Sequence, residues 1–248
     1  MASTSDSGHP KNVANLEKVV TNVTALGATY NPSKASLKIP ALNALLTSAK
    51  AAVTTYNTTE SNLFTAQKAR DAAFATLSPY ITRINNSLKA SDSSTQVDEG
   101  AMSLVRKLQG RRASPKKTAE EKAAAAANGK EIVEISVAHM SFDNRIDNLD
   151  KFIKLLTTIP AYAPNEAELK ITAITAYCND LKAKNAAAVA AETANNNARI
   201  ARNDILYKPI TGLVDISVDI KSYIKSVFGA TSPQYKQISK IEFKSMKI

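Results

Sequence analysis

One stretch of this chain is written twice, and that repetition constrains the fold more than any single motif does. Tyr30 to Asp71 and Tyr162 to Asn203 run in register without a gap. Tyr30, Pro32, Leu37, Lys38, Ile39, Lys50, Glu60 and Arg70 match Tyr162, Pro164, Leu169, Lys170, Ile171, Lys182, Glu192 and Arg202, and six alanines match besides. The correspondence reaches back before Tyr30, where Asn15-Leu16-Glu17-Lys18 parallels Asn148-Leu149-Asp150-Lys151, one residue out of step. A chain of this kind is expected to be a tandem duplication of one helical unit, its copies packed about a pseudo-two-fold. The first copy is drawn at 11–110 and the second at 130–248. A basic, alanine-rich linker at 111–129 joins them, and a polar tail at 1–10 precedes them.

Within the first copy the apolar spacing is helical. Leu42, Leu46, Ala49, Val53, Tyr56, Glu60, Leu63, Gln67, Arg70, Phe74 and Leu77 alternate four and three apart, a heptad-like seam with no Gly or Pro inside it. Asn31-Pro32-Ser33 reads as the start of that helix. Ser78-Pro79 reads as a kink or a new start, because proline lacks a backbone donor and clashes with the preceding turn. Lys208-Pro209 stands at nearly the same place in the second copy. A helix this long needs partners along its length. The expected fold is therefore all-α, an elongated long-helix bundle or coiled coil.

The flanking segments carry their own signals. Val13, Leu16, Val20 and Val23 mark an amphipathic helix that ends near Gly27. Thr118 and Glu121 form a capping box, and Asn128-Gly129 ends the helix that the box opens. Ile132, Ile135, His139, Phe142, Ile146, Leu149, Ile153 and Leu156 predict one long helix from Lys130 to Ile159-Pro160. Ile238 to Lys244 partly alternates apolar and polar, and reads as a short strand or an extended docking arm at the C-terminus.

Several function classes are disfavoured. The chain has 7 glycines and no Gly-rich phosphate loop, nucleophile elbow or H-E-x-x-H motif. His9 and His139 are the only histidines, and neither stands at metal-ligand spacing from a Cys or carboxylate. Cys178 is the single cysteine, so it forms no intrachain disulfide and is expected to pack as a small apolar residue. No enzyme activity, cofactor, metal or small-molecule substrate is expected. Without a secretory signal or a membrane-length apolar run, the expected location is cytoplasmic.

Two sets of polar residues stand out. Glu60, Arg70, Glu192 and Arg202 occupy seam positions where apolar side chains are expected, and they recur in both copies. Glu60 with Arg202, and Glu192 with Arg70, are candidates for a polar layer that sets register more than it adds stability. Alternatively, the seam drifts there and the four side chains snorkel to water. The second set is the basic run Arg106, Lys107, Arg111, Arg112, Lys116 and Lys117, either a solvated linker or a contact for an anionic partner. With a net charge of +10 and polar, alanine-rich helices, the leading expectation is a structural, self-associating protein, a subunit of a filament, tube, sheet or scaffold. Nucleic-acid binding through the basic run is the alternative, and membrane-surface association comes third.

Overall fold

A computed structural model of the chain describes residues 8–111, 117–129 and 140–245. Those residues form nine α-helices and contain no strand. They are α1 (His9–Ala25), α2 (Ile39–Ala75), α3 (Leu77–Lys89), α4 (Thr95–Gln109), α5 (Ala119–Ala127), α6 (Phe142–Thr157), α7 (Ile171–Tyr207), α8 (Leu213–Phe228) and α9 (Pro233–Ser239). No helix among the described residues is long and apolar enough to cross a membrane.

The helices belong to two compact units. Unit 1 takes residues 1–64 and 190–248, and unit 2 takes 65–189. These are not the sequence halves. Both 37-residue helices, α2 and α7, give one end to each unit. Unit 1 therefore combines α1 and the start of α2 with the end of α7, α8 and α9. Unit 2 combines α6 and the start of α7 with the end of α2, α3 and α4. At about 1.5 Å per residue each long helix spans about 55 Å, and α2 is shorter than a helix running from Asn31-Pro32-Ser33 to Ser78-Pro79 would be.

The shortening has a local cause at the N-terminal end. Helix α2 does not begin at Asn31-Pro32-Ser33. The Tyr30 hydroxyl donates to the Leu37 carbonyl at 2.8 Å, drawing 30–37 into a loop that ends in one 3-10 turn over Ala35–Leu37. The helix then opens at Ile39 with Pro40 in its first turn, where no backbone donor is needed. The same device opens α7. Tyr162 donates to the Leu169 carbonyl at 2.7 Å, and a 3-10 turn over Ala167–Leu169 precedes Ile171.

Each unit closes on its own core. In unit 1, Val13, Leu16, Val19, Val20 and Val23 of α1 pack with Leu213, Ile216, Ile220 and Ile224 of α8 and with Leu42 and Leu206. In unit 2, Leu149, Phe152 and Leu156 of α6 pack with Ile81, Ile84 and Leu88 of α3, Val105 and Leu108 of α4, and Ile174 and Leu181 of α7. Cys178 is buried in this second core, and burial raises its thiol pKa. Burying apolar surface at about 25 cal/mol per Å² is what drives each closure.

Several local expectations meet their geometry. The capping box is formed, with the Glu121 amide donating to the Thr118 hydroxyl at 3.2 Å and the Thr118 amide to Glu121 at 2.9 Å. Helix α6 is shorter than the helix expected from Lys130. It starts at Phe142 with Ser141 as N-cap, while Ile132, Ile135 and His139 lie outside the described residues. The C-terminal segment is not a strand. Part of it is helix α9, and 241–245, neither helix nor strand, lies against α1. The Asn12 amide donates to the Lys244 carbonyl at 2.8 Å and accepts from the Lys244 amide at 3.1 Å, while Asn15 donates to the Glu242 carbonyl at 2.7 Å. A side-chain amide thus gives this segment the two-way pairing that a neighbouring strand would supply.

Candidate functional site

The four seam residues do not share one environment. Arg70 is half-buried, and Arg202 is only 5% exposed. In unit 1 the Arg202 guanidinium lies 4.2 Å from the centre of the Tyr56 ring and donates to the Asn203 side chain at 2.8 Å. The Tyr56 hydroxyl in turn donates to Glu60 at 3.0 Å. The tyrosine thus stands between the arginine and the carboxylate of the expected pair, contacting both. One helical turn spans Tyr56 to Glu60, so that bond costs little side-chain ordering.

In unit 2 the partner of Arg70 is also aromatic. Its guanidinium lies 4.0 Å from the Phe142 ring centre, at the first turn of α6, and reaches the Asn185 side chain at 3.5 Å. Asn185 itself donates to Asp143 at 2.8 Å. Cation–ring contacts of this kind are worth about 0.5–2 kcal/mol, more as the site dries. Both arginines are therefore held by rings, which the seam spacing could not reveal. Tyr56 and Phe142 were legible only as seam members.

Arginine burial recurs at Arg145, which sequence reasoning missed. It lies 5.1 Å from the Phe74 ring, donates to the Phe74 carbonyl at 3.2 Å, and leaves its Nε without a partner. Burial lowers its pKa. In unit 1 His9 places its Nδ1 2.7 Å from the Tyr207 hydroxyl. Burial, and then the charge of Arg202, lower its pKa. The hydroxyls of Tyr30 and Tyr162 respond alike, each pushed up to about 12 chiefly by burial.

The basic run is split. Arg106 and Lys107 sit in the last turn of α4, where cations favour the helix C-terminus. Their carbonyls accept from the Arg111 and Gly110 amides at 2.8 and 3.3 Å, with Gly110 at φ 65° closing the helix. Arg111 is exposed, Lys117 pairs with Glu121 at 3.1 Å, and Arg112 and Lys116 lie outside the described residues. Among the described residues no three or more His, Cys, Asp or Glu come together as a metal-binding group.

One further position was invisible in the sequence. Ile210, in the loop between α7 and α8, has φ 72°, the only positive φ of a non-glycine residue among those described. The Thr211 amide donates to the Pro209 carbonyl at 2.8 Å across it, which makes Ile210 the centre of a strained γ-turn. Its own amide donates to Asp215 at 2.7 Å, and its side chain is 72% exposed. A single residue, Thr76, joins α2 to α3, so this loop has no equivalent in the first half.

The class defined by these observations is an all-α protein of two helical units, with arginines packed on aromatic rings. No family model matches the chain, and neither a curated protein nor a solved structure matches it.

Proposed function

We propose that the chain is a structural, self-associating helical protein, a building block of a filament, sheet, tube or scaffold that acts without catalysis. Ile210 carries this reading. A β-branched residue with left-handed φ costs on the order of 1–2 kcal/mol relative to the right-handed region, and asparagine or glycine avoids most of it. Burial of the side chain does not offset that cost, because the residue is 72% exposed. A contact made outside the chain would repay it. The loop holds the apolar side chain out through the bonds to Pro209 and Asp215, as a contact point needs.

The body that carries the loop is read as two copies of one helical unit related by a pseudo-two-fold. Paired local devices support this. Tyr30 and Tyr162 make the same bond to a carbonyl seven residues on. Lys50 pairs with Glu17 at 2.5 Å as Lys182 pairs with Asp150 at 3.0 Å. Ile210 belongs to one copy alone, which suits a directional, head-to-tail contact.

The test separates stability from association. Ile210→Asn should raise stability by about 1 kcal/mol, since asparagine tolerates left-handed φ, while weakening self-association. Sedimentation velocity and urea denaturation read the two effects. A wild-type chain that stays monomeric at all concentrations, or a variant that associates as the wild type does, would overturn the proposal.

A further inference from the structure

Helix α5 contributes to neither core. None of its nine residues is buried, and isolated helices shorter than about 12–15 residues are marginal in water. At its N-terminal end stands the Thr118–Glu121 capping box. At its C-terminal end the Asn128 and Gly129 amides donate to the Ala125 and Ala126 carbonyls, each at 3.0 Å. The Asn128 side chain donates to the Ala124 carbonyl, also at 3.0 Å. Asn128 and Gly129 are both exposed.

Asn128-Gly129 is the one asparagine–glycine step in the sequence. Glycine has no Cβ, so its amide nitrogen is the least hindered backbone nucleophile that can follow an asparagine. At Gly129 nothing lies within 4 Å of the place a Cβ would take. Attack by that nitrogen on the Asn128 side-chain carbon closes a five-membered ring, a step favoured by proximity within one chain. The closed helix prevents it. A ψ of 17° at Asn128 turns the Gly129 nitrogen away from the Asn128 Cβ, and the bonds to Ala124, Ala125 and Ala126 hold both residues there. Opening the last turn of α5 releases these restraints together. With no buried side chain in the helix, that opening exposes no core, and it belongs to the low-cost local motions of a folded chain.

We propose that Asn128 is a deamidation site gated by fraying of α5. In the open turn the Gly129 nitrogen attacks Cγ of Asn128. A new C–N bond closes a succinimide, the Gly129 amide proton passes to the departing Nδ2, and ammonia leaves. Water then adds to one of the two ring carbonyls and breaks its bond to the nitrogen, which yields aspartate or isoaspartate. Neither product restores the original helix end. The new carboxylate lies at a helix C-terminus, where the backbone dipole is already negative, and isoaspartate adds a methylene to the main chain. The net charge of +10 falls by one. Helix α5 thus carries an irreversible mark of the chain's age, and this reading does not depend on self-association.

The test ages the full chain at mildly alkaline pH and follows each asparagine by peptide mapping with mass spectrometry. Asn128 should deamidate several-fold faster than Asn57, which is also exposed but lies inside α2. Both aspartate and isoaspartate should appear, as opening of a succinimide requires. Thr118→Ala removes the cap at the far end of α5 and should quicken the reaction about five-fold. That variant touches no core residue, and circular dichroism checks that it stays folded. An intact Asn128, earlier loss at another asparagine, aspartate without isoaspartate, or an unchanged rate in folded Thr118→Ala would each overturn the proposal.

Discussion

Unit 1 and unit 2 solve the same packing problem with different side chains. Helix α1 carries Asn12 one turn before Asn15, and α6 carries Arg145 one turn before Asn148, all in comparable places. In unit 1 the two amides hold the backbone of residues 242–244. In unit 2, Asn148 bonds within its own helix to the Asn144 carbonyl at 2.8 Å, and Arg145 lies on a phenylalanine with one nitrogen unsatisfied. At the tyrosine loops the closing phenols differ as well, since Tyr223 of α8 meets the Tyr30 ring edge-on in unit 1, whereas Tyr80 of α3 donates to the Glu168 carbonyl and packs on Tyr177 in unit 2. The main apolar contacts tolerate these exchanges. The polar closures around them give each unit its own surface.

The largest expected difference lies in the cores. Phe152 of α6 and Val19 of α1 are both fully buried. Phe152→Ala should cost about 3–5 kcal/mol, whereas Val19→Ala should cost about 2 kcal/mol. Urea denaturation of both variants checks this, and equal losses would break the view that unit 2 depends on one large ring.

Next comes the docked segment. Asn12→Ala removes both side-chain bonds to the Lys244 backbone, at a cost of about 1–3 kcal/mol. Hydrogen exchange at Lys244 should accelerate sharply. Asn148→Ala, which removes only a bond within its helix, should cost under about 1 kcal/mol. A third pair should show sameness instead. Tyr30→Phe and Tyr162→Phe each delete one buried hydroxyl bond, and each should cost about 1 kcal/mol. A marked inequality in calorimetry would mean that the two loops are not equivalent.

The smallest effect is a pH dependence confined to unit 1. His9 has a folded pKa below 6.5, first because burial disfavours the imidazolium and then because Arg202 repels it. The unfolded chain therefore binds that proton more readily. Stability is full above pH 6.5, declines as pH falls through 6.5, and levels off below the folded pKa. An NMR titration should place the His9 midpoint below 6.5, and His9→Gln should remove this part of the pH dependence of unfolding.

Much of the helical content was legible because it rests on local rules. The α1 face, the Thr118–Glu121 cap and the interruption before Ser78-Pro79 come from spacing and from proline's missing donor. Helix α3 in fact begins at Leu77, with Pro79 in its first turn, whereas Pro209 lies in a loop, so the two prolines do different work. What escaped the sequence rests on tertiary contact. The start of α2 is delayed by a hydroxyl bond from Tyr30 to a residue seven positions on. Arg202 is buried because a tyrosine ring offers it a face. The backbone at Ile210 turns left-handed where no glycine announces it. Similarly, the units cut across the sequence halves because each long helix serves both.

Self-association is the central claim, and sedimentation velocity of the purified chain tests it most directly, over rising protein concentration at low and at high salt. Concentration-dependent growth beyond a monomer is predicted, persisting at high salt because Ile210 is an apolar contact, and reduced by Ile210→Asn. A single monomeric species at every concentration and salt would contradict it.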